Sequence, residues 1–293
     1  MLRIILLLVT NVAVMLMLTF VANLLCVFFG TTIEEMFGPQ WTSLLVFAFV
    51  YGMLGAFVSL LLSKPMAKMA CRAKTIDGTE GEAERWLVAT VEDLARRAGV
   101  KTPEVAIYPG AANAFATGAF KNSALVAVST DIMGQMSKEE LRAVLGHEMS
   151  HVANGDMVTL TLVQGVLNAF VIVLSRVLAS IVASSSKGES RRSNGGLYFL
   201  AVMVLQLVLG VLASLVVMWV SRKREYAADS GSAHLLGTPM PMIAALQRLG
   251  NLKPGVLPDS LKAFGVASPK TSVWSTHPAI EDRIAALQNL TLF

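Results

Sequence analysis

The chain has 293 residues, enough for one large domain or two small ones, and is 54% hydrophobic but only 15% charged. Soluble domains usually carry about 25% charged residues, so the deficit points to a membrane protein. A formal charge of +4, with no interleaved aromatic-and-basic pattern, gives no support to a nucleic-acid partner. The two cysteines, Cys26 and Cys71, make neither a disulfide framework nor a CxxC metal site.

Residues 4–33 and 36–63 are uncharged apolar stretches, and a helix needs about 20 such residues to cross a bilayer. The first exceeds the roughly 7–15 apolar residues of a cleaved signal peptide. A second long run follows within a few residues, so the pair reads as a membrane anchor. The loop between them carries Glu34 and Glu35 and no Lys or Arg, whereas Lys64, Lys68, Arg72 and Lys74 follow the second. Positive charge stays on the cytoplasmic side, which puts both termini and the segment from Lys64 to Asp156 there.

Residues 78–100 read as an amphipathic helix, with Trp86, Leu87, Val91 and Leu94 at helical spacing. EVAIY (104–108), closed by Pro109-Gly110, and ALVAVS (124–129) read as strands. Ser137 followed by Glu140 is a capping box that starts a helix at Lys138, running through His151. On that helix His147 and His151 stand four residues apart, so both imidazoles project from one face. Glu148 leans to the side of the pair, within reach of a water beside them. H-E-x-x-H on a helix is a zinc-protease signature with Glu as the general base; the bland alternative is a helix with two unrelated histidines.

Two further uncharged stretches follow, 157–175 and 193–221. The earlier is marginal: it ends at Arg176 and carries Thr159, Thr161, Gln164 and Asn168. Together they form a hairpin that either crosses the bilayer or packs partly on protein. Lys187, Arg191 and Arg192 between them run against the charge rule, while Arg222, Lys223 and Arg224 after them agree with it. A catalytic zinc takes three protein ligands, and two crossings would return the chain to the side of His151. The first acid there is Glu225, with Asp229 one turn on as a carboxylate suited to orienting a ligand histidine. The bland alternative for Glu225 is an interfacial charge paired with Arg222 or Arg224. Asp156 competes as the third ligand, but five residues beyond His151 it points elsewhere on a continuous helix. Residues 251–273 read mostly as loop. Thr276-His277-Pro278 opens a last helix with Ile280, Ile284 and Leu287 on its apolar face.

The expected organisation is therefore two transmembrane helices in 1–63, a cytoplasmic part in 64–156 with the histidine helix, the hydrophobic hairpin in 157–221, and a second cytoplasmic part in 222–293 with the third ligand.

His147-Glu-x-x-His151 and Glu225-x-x-x-Asp229 beyond a hydrophobic hairpin together resemble the HtpX-type membrane metalloproteases, a family related to the type 1 CAAX prenyl proteases. NAFATG (113–118) and STHP (275–278) with Arg283 match the same pattern, and the resemblance covers essentially the whole chain. It implies an α+β, mostly helical, membrane-anchored gluzincin-like zinc metalloprotease domain with four hydrophobic segments. It implies one zinc per chain on His147, His151 and Glu225, with Glu148 catalytic, His277 near the scissile carbonyl and Asp229 behind the ligands. It further implies that Asn113 and the strand holding Ala124 and Val126 form the edge that takes an extended substrate, with Arg283 beside it. On the residues alone, that strand is more often core and His277 more often a helix-start cap, and Arg283 either supports the site or forms a surface pair; His234 reads as structural. The implied setting is the bacterial inner membrane, with a cytoplasm-facing site. The implied partners are damaged or misfolded membrane proteins, unfolded polypeptides and other membrane proteases. The rival class is a membrane metal sensor or transporter without proteolysis.

Overall fold

The computed structural model describes residues 40–110, 112–185, 194–251 and 277–291, with isolated positions between 16 and 32. Most of the apolar stretch 4–33, most of the loop 251–273 and the basic loop residues Lys187, Arg191 and Arg192 lie outside the described residues. In chain order the elements are α1 (Trp41–Cys71), β1 (Lys74–Ile76), α2 (Glu82–Arg97), β2 (Glu104–Tyr108), β3 (Ala114–Thr117), β4 (Leu125–Ser129), α3 (Thr130–Gln135), α4 (Lys138–Asn154), α5 (Asp156–Ser185), α6 (Asn194–Leu236), α7 (Met240–Asn251) and α8 (Ile280–Gln288). The fold is mostly helical with one small sheet.

Three described helices are long and apolar enough to cross a membrane: Trp41–Cys71, Asp156–Ala183 and Gly195–Leu236. The chain divides into two compact units. One is Met1–Val58 with Thr161–Val217, the other Ser59–Leu160 with Met218–Phe293. In the first, Trp41 and Ala48 of α1 form a buried cluster with Ile172, Val173 and Val177 of α5. Much of the rest is exposed and apolar, including Phe47, Val50, Leu54, Phe199, Val204 and Leu207, as suits helices whose solvent is lipid.

The second unit is built on a four-stranded sheet in the order β1-β2-β4-β3. β4 pairs parallel with β2 and antiparallel with β3. Its alternating residues go to different layers: Val126 and Val128 join the core with α2, α4 and α7, while Leu125 and Ala127 pack with Ala67, Cys71, Tyr108 and Phe115 on the other face. A strand buried on both faces needs an unbroken apolar run, and LVAVS supplies one. The strand expected as the substrate edge is therefore central. Ala124 and Val126 lie in the core, and the backbone of Val126 lies between two partner strands. The edge is β3, at AFAT, a segment too short and uniform to show strand alternation.

α4 runs through the middle of this unit. The capping box forms in full: Glu140 N–H donates to Ser137 Oγ (3.1 Å) and Ser137 N–H to Glu140 Oε2 (2.8 Å). The helix packs against α2, α7, β3 and β4, so nearly its whole central stretch, including His147 and Glu148, is buried. It ends at Gly155, whose φ of 64° and ψ of 43° are left-handed, a conformation that costs other residues about 1–2 kcal/mol. The next residue, Asp156, starts α5 in a new direction.

Candidate active site

Two helices bring the acidic and imidazole groups together. α4 and α6 approach closely because their contact is made of small residues. A Cβ on Gly146 would stand 2.8 Å from Ser232 Oγ, and one on Gly231 only 2.7 Å from Ser150 Cβ. Ser232 Oγ also donates to the Ala143 carbonyl (2.7 Å). This seam sets Glu225 and Asp229 of α6, one turn apart, against the two histidines.

His147 Nε2 and His151 Nε2 lie 3.1 Å apart. Glu225 Oε2 is 3.5 Å from the first and Glu225 Oε1 is 3.4 Å from the second. Ligand atoms of these three residues all fall within 4.8 Å of one another. Behind them, His147 Nδ1 lies 2.8 Å from Asp229 Oδ1 and His151 Nδ1 lies 2.6 Å from Asp156 Oδ2. With each Nδ1–H donated to a carboxylate, both Nε2 atoms carry lone pairs that face each other. Such a face-off is unfavourable unless a cation lies between them. Two nitrogens bound tetrahedrally to one zinc would stand about 3.3 Å apart, close to the spacing found. Glu225 Oε2 is also buried without a hydrogen-bond partner. Burial opposes charge on His147, yet Asp229 and Glu225 outweigh it and raise its proton affinity, so the pocket favours positive charge. On all these counts the residues fit a metal ion.

Glu148 is 2% exposed and lines the same cavity, with Ala116, Asp156, Met157, Leu160, Ser221, Arg224 and His277. Burial pushes its carboxyl up to about 7, against the pull of His147 and His151. His277 Nδ1 lies 2.8 Å from Glu225 Oε2 but not in line for a hydrogen bond, and both its ring nitrogens are buried without one. It enters the cavity rather than capping α8, whose N-cap residue is Ala279.

Arg283 departs from the expected substrate-facing position. It is 1% exposed, and its Nε and Nη2 donate to Asp229 at 2.7 and 2.6 Å. Nη1 lies 3.4 Å from Glu225 Oε2. Its donors are committed to the carboxylates behind the histidines, and it has no surface to offer a peptide. Asn113 is likewise buried, with Oδ1 accepting from Ala114 N–H (2.9 Å) and its carbonyl accepting from Ser129 N–H (2.9 Å). Bonded pairs alternate along an antiparallel ladder, so Ala114 and Ala116 turn their backbone groups toward the open side of β3. There the Ala116 amide meets the Glu148 carboxylate.

Asp156 is the residue sequence reasoning misjudged. A continuous helix would carry it away from His151; the left-handed Gly155 brings it back. It supplies no third ligand, but it holds the far nitrogen of His151 as Asp229 holds that of His147. Arg224, a candidate partner for Glu225, pairs with Asp156 instead, at 2.5 Å.

The profile of peptidase family M48 matches residues 82–291. The chain is 52% identical over 289 residues to a protease HtpX homolog of Verminephrobacter eiseniae, covering 98% of each chain. It is 52% identical over 294 residues to a protease HtpX homolog of Bordetella avium, covering 99% of each. Its fold is similar to the crystal structure of S. mikatae Ste24p, with a TM-score of 0.55 at 19% identity over 96% of this chain and 66% of that one.

Proposed function

The chain belongs to peptidase family M48 and is a membrane metalloprotease, and from the geometry of its site we propose that it is a zinc-dependent endopeptidase. The observation that carries this reading is the pair of histidine Nε2 atoms 3.1 Å apart beside Glu225, in a cavity that Glu148 also lines. His147, His151 and Glu225 would hold the zinc, which would supply a water with a pKa of about 7 and a Lewis acid for the scissile carbonyl. Glu148 takes the proton of the attacking water and passes it to the leaving amine. His277 donates a hydrogen bond toward the developing oxyanion. Asp229, held by Arg283, fixes the tautomer of His147.

The substrate lies extended along the outer edge of β3, beside Asn113 and Ala116, adding as a strand to the outward carbonyls of Ala114 and Ala116, whose amides already meet Asn113 Oδ1 and Glu148. Backbone pairing is indifferent to sequence, which suits damaged membrane proteins and unfolded polypeptides as substrates. The clusters Lys64, Lys68, Arg72 and Lys74 and Arg222, Lys223 and Arg224 support a cytoplasm-facing site in the bacterial inner membrane, where other membrane proteases are its neighbours.

The test is casein cleavage by the purified protein in detergent. 1,10-Phenanthroline should abolish cleavage and added zinc should restore it. Zinc bound without any cleavage would favour the sensor or transporter reading, and cleavage indifferent to the chelator would end the proposal.

A further inference from the structure

We propose that Asp156, held by Arg224, is a positioning residue for the metal-holding His151, and that the left-handed break at Gly155 exists in part to place it. The inference rests on the reading of His147, His151 and Glu225 as a metal centre.

Two chains of contacts run in parallel behind the two histidines. One is Arg283 to Asp229 to His147, at 2.6 and 2.8 Å. The other is Arg224 to Asp156 to His151, at 2.5 and 2.6 Å. In each, a carboxylate takes the Nδ1–H of an imidazole and an arginine holds the carboxylate's charge. The imidazole is thereby fixed in the tautomer that leaves Nε2 free for a metal, with its ring orientation set. The second chain is also well sheltered: the side chains of Asp156 and Arg224 are 11% and 12% exposed.

Asp156 opens α5, and an acid in a first turn ordinarily serves its own helix by meeting free N–H groups and the positive end of the dipole. Here its two oxygens point elsewhere: Oδ2 to His151 and Oδ1 to Arg224. A purely helix-capping role does not account for that arrangement. Continued α-helical geometry through position 155 would carry residue 156 off the histidine face. The φ of +64° at Gly155 turns the chain so that the residue joining α4 to the long apolar helix is also the residue behind His151.

The experiment uses full-length protein in detergent, stripped of metal. Zinc affinity is measured by competition with a chromophoric chelator, and the visible absorption of the Co(II)-loaded form is recorded. Asp156→Asn should weaken zinc binding by about 10–100-fold and alter the Co(II) spectrum. The metal-free protein should still fold, with a lowered unfolding midpoint because Arg224 loses its sheltered counter-charge, so the zinc affinity and the spectrum decide. Arg224→Gln should weaken zinc in the same direction by a smaller factor, and Arg224→Lys should restore most of it. If Asp156→Asn does not fold, the Arg224 pair carries the test. A lower metal-free midpoint with unchanged zinc affinity and spectrum would reduce Asp156 to a structural cap and overturn the proposal. Wild-type protein that binds no zinc would overturn the metal-centre reading itself, and this inference with it.

Discussion

Glu148→Gln is expected to lower proteolysis by about 10²–10⁴-fold, the range of a lost general base, while the zinc stays bound. Glu148 shares the cavity with the three candidate ligands but is not one of them. Gln keeps its shape and its hydrogen bonding to the Ala116 amide, and removes only the capacity to accept a proton. That capacity is tuned, because burial raises the carboxyl to about 7. A bound zinc would pull that value down, while the same burial works in the other direction and helps the carboxyl return its proton near neutral pH, where an exposed glutamate near 4.3 would be a poor donor. Casein turnover and zinc content measured on one preparation check the prediction. Wild-type turnover in the variant would remove Glu148 from the chemistry, and loss of zinc would make it a ligand instead.

The second large effect is on stability. Arg283→Ala should destabilise the protein by about 3–5 kcal/mol, because it leaves a buried carboxylate without its cation. Arg283 is 1% exposed and Asp229 2% exposed, so any water entering the space left by the side chain would stand in for the guanidinium without its charge. The contrast is the surface pair Arg96–Asp93, whose arginine side chain is 79% exposed; pairs of that kind are worth at most about 1 kcal/mol. Urea unfolding of the detergent-solubilised protein should show a clear drop for Arg283→Ala and almost none for Arg96→Ala. Equal midpoints for the two variants would mean that the Arg283–Asp229 pair is not the buried support inferred here.

These features were legible in the sequence to different degrees, for physical reasons. His147, Glu148 and His151 lie on one helix face by local geometry alone, and the capping box fixes where that helix begins. Glu225 follows from a topological argument: a chain that leaves through apolar helices must come back on the same side to complete a site. Asp156 was misjudged because a single left-handed residue, Gly155, redirects everything after it. No periodicity within the helix announces such a break. The resemblance put the substrate edge on β4, whereas its apolar run read alone is that of a core strand, and the core reading agrees with its place between β2 and β3. Its two-sided burial reflects the packing of residues as distant as Cys71 and Val144. The true edge, β3, was passed over as a bare AFAT. α7 buries Met242, Ile243, Leu246 and Leu249 on one face, and Pro239 and Pro241 stand at its start, where a proline is tolerated. Arg283 could not be placed at all from its neighbours in sequence, since its partner Asp229 lies 54 residues away.

The central claim is that one zinc sits between α4 and α6, held by His147, His151 and Glu225. The direct measurement is zinc bound per chain after stripping and reconstitution, in wild type and in Glu225→Ala. The account predicts one zinc per wild-type chain and its loss at the same free zinc concentration in the variant, with both proteins folded. Zinc retained by Glu225→Ala at wild-type affinity would contradict it.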